Sequence, residues 1–181
     1  MGDTSSPPPT IYAWNLADKD AAVTLSNTDH TAATSTLGAA VRGVTGHPFG
    51  HYYFEITLTT PTASNGSIIG IALASAALSS AFQTAGAWGF FNGAGTKIEN
   101  NVQGGYGSPQ AAPITIGVEY DNGTLTFWFP GPSTPGVAYS GITGTVYPIW
   151  CFYAAGTHDA TINTGDSPFV LGLPSGASAW G

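Results

Sequence analysis

The fold of this chain is set by the stretch Gly50-His51-Tyr52-Tyr53-Phe54-Glu55-Ile56, which follows Val41-Arg42-Gly43. Apolar and polar residues alternate from Phe54 onward, so Phe54, Ile56 and Leu58 share one face of an extended segment. Such alternation is typical of a strand that buries one face and exposes the other. The sequence therefore predicts a β-strand over residues 52–59.

Turn residues then divide the chain into further strands. Residues 61–66 break the first strand, and residues 67–73 resume as an apolar run, which predicts a hairpin with a six-residue tip. A second hairpin joins residues 114–120 to residues 124–129 through Asp121-Asn122-Gly123. Asn-Gly is typical of a tight β turn because both residues accept the positive backbone dihedrals that it requires.

The rest of the chain also reads as strand or loop. A first short strand is predicted at residues 11–15, and the alanine-rich residues 74–84 predict one or two helical turns. The chain contains no internal repeat and no second region of different amino-acid composition. The sequence thus predicts an all-β fold.

Seven segments, taken in order and spacing, resemble a SPRY domain: Val41-Arg42-Gly43, Gly50 to Ile56, Ile69-Gly70-Ile71-Ala72, Trp88-Gly89-Phe90, Ile116-Gly117-Val118 with the turn at Asp121, Tyr147-Pro148, and Ala160-Thr161-Ile162-Asn163. The resemblance covers roughly residues 35 to 175. It implies an antiparallel β-sandwich of two packed sheets with concanavalin-like topology, which binds other molecules through its loops and does no chemistry. Residues 11–181 are accordingly predicted to form one SPRY-like domain.

Residues 1–10 are predicted to form a short extended arm in front of this domain. Pro7, Pro8 and Pro9 favour a stiff polyproline II rod, which can reach a neighbouring subunit at little entropic cost. A disordered leader is the alternative. The segment lacks the basic and apolar regions of a signal peptide.

Charge is scarce, since only 7% of the 181 residues are charged, against about 25% in an average domain. Lys19, Arg42 and Lys97 are the only formal cations, and the net charge is −7. This balance argues against nucleic acid and anionic membranes as partners. No apolar run reaches the roughly 18 to 20 residues of a membrane span. A surface of short polar side chains instead favours coverage by a neighbouring protein.

Catalytic patterns have simpler structural explanations. Glu119-Tyr120-Asp121 resembles part of a glycoside hydrolase motif, but the matching third carboxylate would fall near position 124, which is Thr124. An outward strand position explains Glu119, and opening the turn explains Asp121. No Gly-x-Ser-x-Gly elbow is present. We therefore predict no catalytic residues and no enzyme activity.

Metal and thiol chemistry are not predicted either. His47 and His51 flank a turn, which does not fix them on one face, so they are interpreted as loop or cap residues. Cys151 lies in an apolar run, which indicates a small buried side chain rather than a reactive thiol. No metal and no cofactor are expected.

The family resemblance places ligand binding in loops, which correspond here to residues 27–33, to the loop after Trp88-Gly89-Phe90 up to Gln103, and to residues 154–158. Amides and carboxylates can pair with sugar hydroxyls, and an exposed tyrosine can stack on a sugar or anchor a protein. The candidate residues are Asp29, His30, Lys97, Glu99, Asn100, Asn101, Tyr106 and His158.

Two departures from the family pattern affect the expected ligand. Lys97-Ile98-Glu99 stands near the place where some peptide-binding members carry an aromatic hydroxyl, and Asn163-Thr164-Gly165 replaces the common Asn-Phe-Gly. Our first hypothesis is a noncatalytic protein on the surface of a bacteriophage virion, as a head decoration, fibre or tail adhesin. It would contact other virion proteins, form a homo-oligomer and bind host surface glycan. The alternative is a cytoplasmic SPRY adaptor that binds a peptide of a partner protein. A glycan-active enzyme is the third and least supported class.

Overall fold

A computed structural model describes residues 11–60, 66–131, 135–154 and 156–181. Its fifteen strands, in chain order, are β1 Trp14–Lys19, β2 Thr24–Ser26, β3 Thr31–Thr34, β4 Ala40–Gly43, β5 His51–Leu58, β6 Ser67–Leu73, β7 Ala87–Phe91, β8 Thr96–Glu99, β9 Val102–Gly105, β10 Ile114–Asp121, β11 Thr124–Trp128, β12 Val137–Tyr139, β13 Val146–Phe152, β14 His158–Asn163 and β15 Ser178–Ala179. A 3-10 helix covers Ala81–Gln83.

These strands form two sheets. One sheet has the order β1-β4-β13-β6-β7-β8-β9, and the other has the order β12-β11-β10-β5-β14-β3-β2. Neighbouring strands are antiparallel throughout both orders, and β15 adds a parallel partner to the start of β5. The predicted all-β antiparallel sandwich is thereby confirmed. Among the described residues no helix is long and apolar enough to cross a membrane.

The main core lies between the sheets and follows the predicted alternation. Phe54, Ile56 and Leu58 are all buried there from β5, opposite Ile69 and Ile71 of β6. A second, smaller apolar cluster packs the 3-10 helix against the other face of the seven-stranded sheet, around Phe82 and Ile98. The sheet therefore buries apolar side chains on both of its faces.

The hairpin predicted from residues 52–59 and 67–73 is wrong. β5 belongs to the eight-stranded sheet and β6 to the seven-stranded sheet, so the chain crosses the sandwich between them. Face-to-face sheets lie about 10 Å apart, a distance that a six-residue link spans as easily as it closes a hairpin. Alternation reports which face is buried and not which strand is the neighbour. Residues 61–65 of the predicted tip lie outside the described part of the chain.

The second predicted hairpin is confirmed. β10 and β11 pair directly up to Asp121 and Thr124. Asn122 and Gly123 form the turn with φ angles of 46° and 91°, which is the conformation that Asn-Gly favours. The first strand begins later than predicted, at Trp14, and the helical turns predicted for residues 74–84 reduce to the one 3-10 helix.

Cys151 is buried, as predicted, in the smaller cluster. Burial raises the pKa of its thiol to about 12, so the thiol stays protonated and unreactive at neutral pH.

Arg42 joins three parts of the seven-stranded sheet. Its guanidinium makes two parallel bonds to the carboxylate of Asp18 in β1, at 2.7 and 2.8 Å. Nη1 also donates to the carbonyl oxygens of Ala76, at 2.7 Å, and Leu73, at 3.3 Å. Arg42 is therefore a structural residue that ties β4 to β1 and to the end of β6 with the segment that follows it.

We expect Arg42→Ala to lower the free energy of unfolding by about 3 kcal/mol, because it leaves the partly buried Asp18 carboxylate and two carbonyl groups without their donor. Urea denaturation at neutral pH measures the loss. Lys19→Ala is the matched control, because that ammonium group donates a single bond to the carbonyl oxygen of Val23, and its loss should cost about 1 kcal/mol or less. Equal losses of unfolding free energy in the two variants would contradict a structural role for the paired bonds between Arg42 and Asp18.

Candidate functional site

The candidate site runs along the side of the sandwich where β9 and β12 end the two sheets. The β8–β9 hairpin of one sheet faces residues 135–139 of the other sheet across this side. We call the surface between them the edge groove. It is the place in the described structure where several of the predicted binding residues come together.

Four hydrogen bonds made by three side chains hold the two sheet edges together. The Tyr106 hydroxyl donates to the carbonyl oxygen of Gly136 and accepts the amide of Phe127 at 3.1 Å. Lys97 Nζ donates to the Ala138 carbonyl oxygen at 2.7 Å, and the Tyr139 hydroxyl donates to the Gly89 carbonyl oxygen at 3.1 Å. Side chains thus replace the backbone ladder that a closed barrel would have here.

Two recesses lie on either side of these bonds. The first, which we call the ring recess, has a volume of about 290 Å³ and is lined by Tyr106, Gly107, Ser108, Gln110, Phe129, Pro130 and Pro135. The second, the hairpin recess, has a volume of about 200 Å³ and is lined by Lys97, Glu99, Val102, Gly104 and Tyr139. The ring recess combines four rings with two polar side chains, whereas the hairpin recess carries two opposite charges.

The two tyrosines of the groove stay protonated. Burial is the main cause that raises the pKa of Tyr106, and burial followed by the charge of Glu99 raises the pKa of Tyr139 well above its usual range. Lys97 adds a cation–π contact, with Nζ 5.1 Å from the centre of the Tyr139 ring. The groove therefore recognises partners through hydrogen bonds and ring surfaces rather than through titrating hydroxyls.

The segment after Trp88-Gly89-Phe90 is a hairpin and not the predicted loop. Lys97 and Glu99 lie in β8, and Asn100 and Asn101 form its turn with φ angles of 48° and 60°. A tight turn forms here because asparagine, like the Asn-Gly pair of the β10–β11 turn, tolerates positive φ between two short strands. The two asparagine side chains are exposed at the hairpin tip.

Tyr106 does not fit the expectation of an exposed stacking platform. Its ring is half-buried and packs against Phe90, Phe127 and Phe129 with centroid distances of 6.2, 5.8 and 6.5 Å. Both bonding directions of its hydroxyl are also used within the protein. Tyr106 therefore forms a wall of the ring recess.

Asp29 and His30 lie at the opposite side of the sandwich, in the turn between β2 and β3. Asn27, Thr28 and Asp29 all have positive φ, at 53°, 53° and 64°, which is a costly conformation for threonine. His30 Nδ1 lies 3.1 and 3.0 Å from the carbonyl oxygens of Asn27 and Thr28, and Nε2 lies 2.7 Å from Asp166. These two residues are not part of the edge groove.

His158 is not in a loop, because it begins β14. Its side chain is 5% exposed, and the ring packs 4.7 Å from that of Phe152. β14 must bury alternate side chains to cover the core, and His158 falls on the buried side of that alternation. Ala155 of the same predicted loop, together with Pro7, Pro8 and Pro9, lies outside the described residues.

The carboxylates with catalytic spacing are occupied by structural bonds. Glu119 accepts the indole Nε1–H of Trp128 at 2.8 Å and lies 2.6 Å from His51 Nε2. Asn122 donates to the Asp121 carboxylate at the turn, as the turn interpretation of Asp121 requires. Across the described parts of the chain, no group of three His, Cys, Asp or Glu side chains is placed to hold a metal ion.

Sequence reasoning missed part of the groove. Phe129, Pro130 and Pro135 line the ring recess, and none was singled out. The Phe-Pro-Gly-Pro run at 129–132 was the available signal, since prolines around a turn next to an edge strand mark a rigid surface. Glu55 was missed as well, although it is a buried carboxylate that accepts the amides of Val170 and Leu171, both at 2.7 Å.

Comparison with known proteins agrees with this architecture. A family model for the SPRY domain matches residues 51–166, and the chain belongs to that family. SPRY domains are protein–protein interaction modules and are generally noncatalytic. No curated protein matches the chain.

Three solved structures illustrate the likeness in fold. The SPRY domain of human HERC1 superimposes with a TM-score of 0.74 at 15% identity, covering 86% of this chain and 99% of that one. The TRIM65 PSpry domain gives 0.66 at 15% identity, with 84% and 92% covered. Stonustoxin gives 0.64 at 16% identity, with 84% of this chain but only 27% of the toxin chain covered.

We expect Tyr106→Phe to loosen the edge groove without unfolding the domain. The variant removes the hydroxyl that joins Gly136 to Phe127, which should cost about 1 kcal/mol and speed hydrogen exchange at the Phe127 amide. Tyr147→Phe is the matched control, because the described residues offer its hydroxyl no bonding partner. Unchanged exchange at Phe127 in Tyr106→Phe would show that the hydroxyl does not hold the two edges together.

Proposed function

We propose that this member of the SPRY domain family is a noncatalytic structural and recognition protein of a virion surface, most simply that of a bacteriophage, and that it docks on other virion proteins through the edge groove. A head decoration, a fibre or a tail adhesin would each dock in this way. The proposal joins the family's role in protein–protein interaction to the composition of this chain.

The observation that carries the proposal is the surface chemistry around the groove. All three cations of the chain are engaged by the protein itself: Lys19 by the Val23 carbonyl group, Arg42 by Asp18, and Lys97 by the Ala138 carbonyl group and the Tyr139 ring. The surface that remains consists largely of short polar side chains and exposed apolar residues. Val102 and Val137, at 70% and 59% exposed, flank the groove.

Such a surface suits permanent coverage by a neighbour. Short side chains lose little rotamer entropy when they are covered, and a surface without free cations gains little from electrostatic steering. A transient intracellular interaction relies more on charged and flexible side chains. An adaptor that binds a peptide of a partner protein is the second candidate, because the ring recess could also accept an apolar peptide side chain.

The first prediction concerns virus particles. We expect quantitative mass spectrometry of purified particles from the source to find this chain at a copy number comparable to that of other structural proteins. A version that lacks residues 1–10 should fold normally but be lost from the particles, because the arm is proposed to dock on a neighbour. A chain that is absent from particles and abundant in soluble extract would contradict the virion proposal and support the adaptor.

The second prediction concerns host surface glycan, for which Asn100, Asn101 and Glu99 are the exposed or half-exposed polar residues of the hairpin tip. We expect Asn100→Gly/Asn101→Gly to weaken binding on an array of host surface glycans roughly thirtyfold, since each of the two lost bonds to a sugar hydroxyl costs about 1 kcal/mol. Glycine keeps the positive φ of both positions, so the turn and its stability are retained. Asn122→Gly, which makes the same change in the β10–β11 turn, is the matched control. Equal binding by the unchanged protein, by Asn100→Gly/Asn101→Gly and by Asn122→Gly would show that the hairpin tip is not part of a glycan site.

A further inference from the structure

The ring recess is lined mainly by ring side chains, of which Tyr106 is half-buried and Phe129 is 8% exposed. Two aromatic rings, Tyr106 and Phe129, and two pyrrolidine rings, Pro130 and Pro135, line it together with the hydroxyl of Ser108 and the amide of Gln110. Its lining contains no charged residue. Proline-rich ligands bind to surfaces of this kind, because their rings pack against aromatic rings while their carbonyl groups accept bonds from neighbouring donors.

We propose that the ring recess of one copy of this chain binds Pro7-Pro8-Pro9 of a second copy. This inference rests on the proposed function in that it assigns a partner to the edge groove. Three consecutive prolines favour polyproline II before binding, so little conformational entropy is lost on docking. Among the other side chains of residues 1–10, Asp3 carries the one formal charge and most of the rest are small and polar, which matches the uncharged residues that line the recess.

The arm of the same copy cannot reach the recess. Ile11 lies beside the β1 edge, where its carbonyl oxygen accepts the Thr45 hydroxyl at 2.9 Å. The recess lies at the β9 edge, six strand positions away in the same sheet, which corresponds to roughly 29 Å at about 4.8 Å per strand. Pro7 is four residues from Ile11 and spans at most roughly 14 Å from it. An arm that occupies the recess must therefore belong to another copy of the chain.

The resulting contact is heterologous, because an arm on one copy meets a recess on the next. Such contacts repeat from copy to copy in a closed ring or an open fibre, and reciprocal exchange of arms between two copies gives a closed dimer. Ile11, which follows the arm in the chain, and the recess lie on opposite edges of the sandwich, an arrangement that also allows the contact to propagate in a row.

Disulfide trapping between two full-length variants tests the contact. One protein carries Ser6→Cys, and the other carries Ser108→Cys in the ring recess together with a size tag. Cys151 is buried with a protonated thiol, so the introduced cysteines are the reactive ones. We expect the mixed disulfide to form roughly tenfold or more faster than with Ser26→Cys on the exposed part of β2, because docking raises the effective concentration of the two thiols. Equal rates at Ser108 and Ser26 would overturn the proposal.

A filled recess provides the second test. A Cβ atom at Gly107 would lie 3.5 Å from Phe129 and 3.6 Å from Pro135, so Gly107→Leu occupies the recess without a clash at Cβ. Gly105→Leu is the matched control, since its Cβ would meet nothing within 4 Å. We expect Gly107→Leu, and not Gly105→Leu, to abolish the disulfide between the cysteines introduced at positions 6 and 108 and to shift the chain to a smaller species in sedimentation velocity. An undiminished disulfide and an unchanged sedimentation profile in Gly107→Leu would overturn the proposal.

These results separate the two proposals. A chain that is abundant in particles but gives no preferential disulfide refutes the arm-to-recess contact and leaves the virion role standing. Preferential trapping by a chain that is absent from particles supports self-association and refutes the virion role.

Discussion

Glu55 in β5 is the polar group that the rest of the eight-stranded sheet must accommodate. It is 1% exposed, on the face that points away from the main core. A carboxylate in such a place is tolerated only when hydrogen bonds replace its water. The amides of Val170 and Leu171 and the hydroxyl of Tyr53 supply them. The segment around Val170 and Leu171 therefore has to cross this face, because its amides are the donors that Glu55 of β5 requires.

This requirement explains neighbouring features of the sequence. Gly117 stands opposite Glu55 in β10, and a Cβ atom there would lie 2.1 Å from the Tyr53 hydroxyl. The Ile116-Gly117-Val118 segment thus carries its glycine because Tyr53 must reach Glu55. Farther along, the end of the chain pairs with β5, and Trp180 packs against Phe54 with ring centroids 5.0 Å apart. β5 is consequently bonded on both edges and covered on both faces.

The sequence predicted those parts of the fold that depend on local chemistry. Alternation found the buried face of β5, and Asn122-Gly123 fixed the β10–β11 register. Beyond the β10–β11 hairpin, the sequence did not predict which strands are neighbours, and the hairpin predicted for β5 and β6 was therefore wrong. The site follows the same division. Lys97 and Tyr106 converge on the edge groove, whereas Asp29, His30 and His158 lie elsewhere because the sheet order separates residues 27–34 and β14 from β9 and β12. The Phe-Pro-Gly-Pro run signals a rigid surface at Phe129 but not its partner, since only the tertiary fold brings Phe129 and Pro135 beside Tyr106.

The position of the edge groove follows from how the sandwich ends. At the other side, β1 ends its sheet with Asp18 and Lys19 and an irregular pairing, which are features that discourage further strands from joining. β9 carries no charge and no proline, and β12, which ends the other sheet across the groove, is only three residues long. Side-chain bonds from Tyr106, Lys97 and Tyr139 close the gap that backbone pairing leaves open. Because side chains meet at points and not along a continuous ladder, recesses remain between them, and recognition is possible at this edge for the same physical reason that the sandwich does not close into a barrel.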